Sequence, residues 1–180
     1  EENENIFPVA DNSNREIDFG GNTLTESELI GKVHSAVYHQ CQQRGYAAPV
    51  DVLIDVGVLP KQKYEDWRNG KVPYLEQACI CNLKKLSFIM SQIRKYAMKS
   101  GLKPSYCYYK QWGTKKKSGQ GRKPVIPLRF SKSGKEDIER AYATHFVDVK
   151  QIKQIKQGKE ASQDRAESPE DKLNREREDL

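Results

Sequence analysis

Apolar positions recur at helical spacing through most of the 180-residue chain. Leu29, Val33, Ala36, Val37 and Cys41 advance by three or four and predict a first helix. Thr25 is placed to cap it, Glu28 to reach back from the third helical position, and Leu24 to staple onto Leu29. The helix ends near Gly45. Pro49 opens a second helix, to which Val52, Leu53 and Val56 give one apolar face. Gly57 supplies a tight turn, because glycine reaches positive φ without a Cβ clash. Pro60 suits the first turn of a third helix, where its missing N–H costs nothing. Tyr64 and Trp67 face inward together, and Asn69-Gly70 ends that helix.

A longer stripe follows: Leu75, Cys79, Leu83, Leu86, Met90, Ile93 and Ala97. Asn82 leaves open whether this is one helix or two. Gly101, Leu102 and Pro104 form its stop. The aromatic run 105–112 reads as a strand. In 125–130, Ile126, Leu128 and Phe130 share one face of a second strand, and Pro127 places it at a sheet edge. Ser133 with Glu136 forms another capping box. Ile138, Tyr142, Phe146, Val149 and Ile152 then predict a C-terminal helix that ends before Gly158. The predicted fold is mainly α: a helix-turn-helix core, a long central helix, a basic wing-like β-hairpin at 105–130 and a C-terminal helix. These make one domain over 23–157. Residues 1–22 read as a flexible acidic arm and 158–180 as a charged flexible tail.

Charge sharpens the picture. The formal net charge of +6 is unevenly spread. Residues 1–20 carry a net −5, residues 21–75 are neutral, and residues 148–180 carry −1. Residues 76–147 hold 16 Lys and Arg against four acids, a net of +12. Such a field attracts polyanions over roughly 8–10 Å in physiological salt. The cations gather on the central helix (Lys84, Lys85, Lys95, Lys99) and at the hairpin tip (Lys115, Lys116, Lys117, Arg122, Lys123). No run of about 18 apolar residues exists, so no membrane span is expected. No signal peptide is expected either, and four cysteines in a chain this long fit reduced thiols better than a disulfide framework. The expected location is cytoplasmic: nucleoid-associated, or nuclear in a eukaryote.

The order Gly57…Tyr64…Trp67-Arg68-Asn69-Gly70…Pro73, within residues 50–75, resembles the Cro/lambda-repressor class of helix-turn-helix proteins. Two details differ: the gap from Gly57 to Trp67 is one residue longer than usual, and Leu53 stands where that class has a small residue. The resemblance implies that the third helix enters a DNA major groove. Lys61, Gln62, Lys63 and Arg68 would then read or position, since Gln pairs with adenine and Arg or Lys with guanine. Glu65 and Asp66 on the same helix work against phosphate approach. The central-helix and hairpin cations would hold the backbone.

The expected function is regulatory or accessory binding of duplex DNA. RNA or single strands are further candidates, because Tyr106, Tyr108, Tyr109 and Trp112 could stack on bases. The alternative is a protein-interaction adaptor whose basic face docks an acidic partner and whose tails bind others. No catalytic, cofactor or metal site is predicted. His39-x-Cys41 and Cys79-x-Cys81 lack zinc spacing. Pairings such as Cys41 with His34 or Cys107 with His145 have no support from spacing.

Overall fold

The computed structural model describes residues 16–17, 24–115, 121 and 123–166. Within these, the chain is mainly helical with a small antiparallel sheet. A two-stranded pair, β1 (Glu16–Ile17) and β2 (Leu24–Thr25), precedes α1 (Glu26–Arg44). The predicted capping box is present. Glu28 N–H donates to Thr25 Oγ1 at 3.2 Å, and Thr25 N–H donates to Glu28 Oε2 at 2.8 Å. Gly45, with φ 82°, ends α1 in the left-handed conformation.

β3 (Tyr46–Ala47) leads into α2 (Pro49–Val56), and Gly57 turns at φ 90° into α3 (Lys61–Arg68). Val52, Leu53, Val56 and Trp67 are all buried, as the apolar pattern predicts. The central stripe divides into α4 (Leu75–Ala78) and α5 (Leu83–Lys99). Asn82 makes the division, because its side chain accepts from Lys85 N–H at 2.9 Å and starts α5 afresh. The stop at Gly101 matches expectation: Leu102 N–H returns to Ala97 C=O at 2.9 Å. The core lies between α1, α2 and α5, around Leu29, Val33, Leu53, Leu86, Ile89 and Ile93.

Two predicted elements differ. Residues 136–157 are not one helix. α6 (Glu136–Ala143) gives way to β5 (Thr144–Val147) before α7 (Val149–Ala166), which runs on past Gly158. Thr, Phe and Val favour a strand, and β5 finds partners on both sides, in the order β3-β5-β4. Asp148 then starts α7 by accepting from Gln151 N–H at 3.0 Å. The capping box at Ser133 and Glu136 is also absent. Lys135 is the N-cap and makes no side-chain capping bond. Glu139 instead accepts from the N–H groups of Phe130 and Ser131 and from Ser131 Oγ.

The second difference concerns the hairpin. The strand β4 (Lys103–Tyr106) pairs with β5, not with 125–130. Pro104 sits in it without loss, since β4 is an edge. Among the described residues, the two arms of 105–130 meet through a bridge between Lys110 and Pro127 and the bonds Gln111 N–H to Ile126 C=O and Leu128 N–H to Tyr109 C=O. Pro127 has no N–H to extend that ladder.

Candidate nucleic-acid interface

α3 is short, amphipathic and held at its C-terminal end. On its inner side, the Trp67 indole is fully buried and its Nε1–H donates to Arg129 C=O at 2.8 Å. On its outer side Lys61, Gln62 and Lys63 are exposed. Asp66 does not face outward as a free charge. It accepts from Gln62 Nε2 at 3.4 Å and pairs with Lys71 Nζ at 3.4 Å. Such exposed pairs contribute little to stability, yet they offset the acid on the helix that would meet phosphate.

Arg68 stands apart from the other predicted reading residues. It is half-buried, and its guanidinium lies 4.5 Å from the Trp112 ring centre and 5.2 Å from that of Tyr109. Tyr64 and Trp67 complete the box at 6.0 Å each. Arg68 Nε is buried without a hydrogen-bond partner. Its geometry is that of a cation stacked among rings, so it supports the aromatic cluster where the sequence has it reading bases.

The same cluster fastens the basic loop to α3. Trp112 N–H donates to Arg68 C=O at 2.7 Å. Gly70, at φ 75°, lets the Gln111 side chain lie where a Cβ would stand 2.5 Å from Oε1. The chain from Lys110 to Lys115 therefore leaves the body beside the end of α3. Lys110, Lys115 and Lys123 are exposed. Lys116, Lys117 and Arg122 lie outside the described residues.

The central-helix cations divide. Lys84, Lys95 and Lys99 are exposed, but Lys85 is 4% exposed and is not a surface cation. Lys95 and Arg94 open onto a groove between α5 and α6. Among the described residues, no hydrogen bond or ring contact joins Lys84, Lys95 or Lys99 to α3.

A second cluster escaped the sequence. Antiparallel pairing of β4 with β5 carries the chain just past Tyr106 to lie beside β5. Cys107 N–H donates to Ala143 C=O at 2.9 Å, and Cys107 Sγ stands 3.1 Å from His145 Nδ1. Tyr109 Oη is 2.7 Å from His145 Nε2. The Tyr46 ring stacks parallel on the imidazole at 5.4 Å, and Arg44 covers Tyr46 at 4.3 Å. Arg44 is itself fixed by Asp51 at 2.6 Å and Gln40 Oε1 at 2.9 Å. Burial holds the His145 imidazole below its ordinary pKa and pushes the Cys107 thiol above its own.

No family model matches the chain, and neither a curated protein nor a solved structure does. No helix among the described residues is long and apolar enough to cross a membrane.

Proposed function

We propose that this protein binds nucleic acid, duplex DNA foremost, in a regulatory or accessory role. The surface is formed by α3 and the basic loop that begins at its end. The observation that carries this reading is the 2.7 Å bond from Trp112 N–H to Arg68 C=O. It ties a Lys-rich loop to a helix whose outer side offers Lys61, Gln62 and Lys63. The resemblance to the Cro/lambda-repressor class adds a docking mode: α3 in the major groove and the loop along the flanking backbone. Lys61, Gln62 and Lys63 carry the contacts to bases or phosphates. Lys110, Lys115 and Lys123 carry the phosphate contacts. Arg68 holds the rings. Fluorescence anisotropy with a labelled random duplex, titrated across salt, tests this. Affinity falling steeply and linearly on a log–log plot supports it. Absence of binding at low salt excludes it.

One observation favours the adaptor reading. The groove between α5 and α6 measures about 1110 Å³ and is lined by Met90, Met98 and Ile138, with the cations Arg94, Lys95 and Lys132 outnumbering the acids Glu76 and Asp137. Of that lining, Leu83 and Met98 are 54% and 73% exposed and so present apolar surface outward. An acidic amphipathic segment of a partner protein suits that chemistry. Charge reversal at Arg94 and Lys95 abolishing capture of a protein partner, with duplex affinity intact, separates this reading from the first.

A further inference from the structure

Of the four thiols, only Cys107 has an imidazole within hydrogen-bond distance among the described residues. Cys41 is buried, and its thiol is pushed up to about 11 by that burial. Cys79 is pushed up to about 12 by burial, and Cys81 is raised by the same cause. These three behave as small apolar side chains. Cys107 is partly exposed, flanked by Tyr106 and Tyr108, which are 56% and 58% exposed.

The geometry around His145 has the parts of an activated nucleophile: thiol, base and a third group that orients the base. We infer that Cys107, with His145 as its general base and Tyr109 as the positioning residue, is a site of thiol–disulfide exchange with small disulfides such as glutathione disulfide.

The exchange step uses the tautomer with an unprotonated Nδ1 facing the thiol. If His145 Nδ1 accepts from the Cys107 S–H at 3.1 Å, Nε2 carries the other proton and donates to Tyr109 Oη at 2.7 Å. When the imidazole gains a proton, Nε2–H still donates to Tyr109, so the ring need not turn. Burial keeps the Tyr109 phenol protonated far above neutral pH.

The other groups facing the imidazole change little. Tyr46 stacks on it, ring parallel to ring. Asp51 raises its pKa, and Arg44 lowers it; these two pair with each other at 2.6 Å, so their effects oppose. His145 thus rests neutral, ready to act as a base.

The step balances without a further reactant. The Cys107 proton passes from Sγ to His145 Nδ1. The thiolate attacks one sulfur of the small disulfide, forming a new S–S bond as the old one breaks. The leaving thiolate takes the proton back from Nδ1 and departs as a thiol. Cys107 is oxidised to a mixed disulfide, and the other half of the reagent is reduced.

The test exposes the full-length protein to excess glutathione disulfide from pH 5.5 to 9, with acid quenching and peptide mass mapping. Cys107 is expected to react at least about tenfold faster than Cys41, Cys79 or Cys81 at pH 7. With increasing pH its rate should rise below about pH 6.5, reach a plateau, and rise again only above the ordinary thiol value of about 8.5, because burial raises the Cys107 thiol. His145→Gln should remove the first rise, and Tyr109→Phe should lower the plateau. A single rise at or above about pH 8.5 in the unaltered protein, or an unchanged profile in folded His145→Gln, overturns the assignment. If His145→Gln fails to fold, the profile of the unaltered protein decides alone.

Discussion

The Trp67 indole and the backbone of Arg129 are 62 residues apart and joined by a 2.8 Å hydrogen bond. The same carbonyl accepts from Leu75 N–H at 3.2 Å. One acceptor therefore organises the end of α3, the start of α4 and the strand-like segment that ends at Phe130. Phe130 packs 5.3 Å from Trp67, centre to centre. Trp67→Ala should cost about 3–5 kcal/mol, as truncation of a fully buried aromatic does. Trp67→Phe keeps most of the packing and loses the indole donor, at about 1–3 kcal/mol. Urea unfolding measures both. A folded Trp67→Ala protein of unchanged stability that has lost nucleic-acid binding would move Trp67 from the core to the contact surface.

Glu139 makes a separate fastening. Its carboxylate accepts from Phe130 N–H at 2.9 Å, Ser131 N–H at 2.7 Å and Ser131 Oγ at 2.6 Å. Ser131 is 1% exposed, so water cannot readily replace that partner. Glu139→Ala should destabilise the protein by about 1–3 kcal/mol through orphaned donors. Amide hydrogen exchange should accelerate at Phe130 and Ser131 first. Unchanged protection there would show that α6 does not hold the segment.

Two histidines set an acid limit on stability. Burial lowers the pKa of His34, with Lys99 adding to the effect, and burial likewise lowers that of His145. The unfolded chain therefore binds more protons than the folded one just below the ordinary histidine value of about 6.5. Stability should fall as pH drops through 6.5 and level off once both folded imidazoles are charged. Glu28 acts in a lower window. Its hydrogen bonds with Thr25 depress its pKa, so its contribution is present above about 4.5 and lost as pH falls through the folded value. Tm measured from pH 8 to 5 checks the histidines. His34→Phe should flatten the fall, and should raise Tm at pH 6. It retains a ring against Tyr96, stacked at 4.6 Å, and removes Nε2, which is buried without a partner. A Tm constant over that range contradicts the account.

What the sequence revealed was local. The Thr25–Glu28 box, the turns at Gly57 and Gly101 and the buried face of α2 depend on residues within one or two turns, and all stand as expected. β5 was hidden because Ile138, Tyr142 and Phe146 keep helical spacing straight through it. Only β3 and β4, distant in sequence, make a strand the better outcome. The Cys107–His145 pairing drew no support from spacing for the same reason, since its contact spans 38 residues. Arg68 looked like a reading residue because nothing in its neighbourhood announces that Trp112 folds over it. Lys85 counted as a surface cation by charge, yet it lies buried in the first turn of α5.

We propose that α3 and the loop beside it grip nucleic acid. The most direct measurement of that grip is the salt slope of duplex binding for the unaltered protein and for a Lys61→Ala, Lys63→Ala, Lys115→Ala triple variant. These three lysines are exposed, so the variant should fold normally. Every phosphate that the variant no longer neutralises should reduce the slope of log affinity against log salt by about 0.9, a total of roughly 2–3. A weaker affinity with that flatter slope is the predicted result. An unchanged affinity and slope in the folded variant would contradict the account.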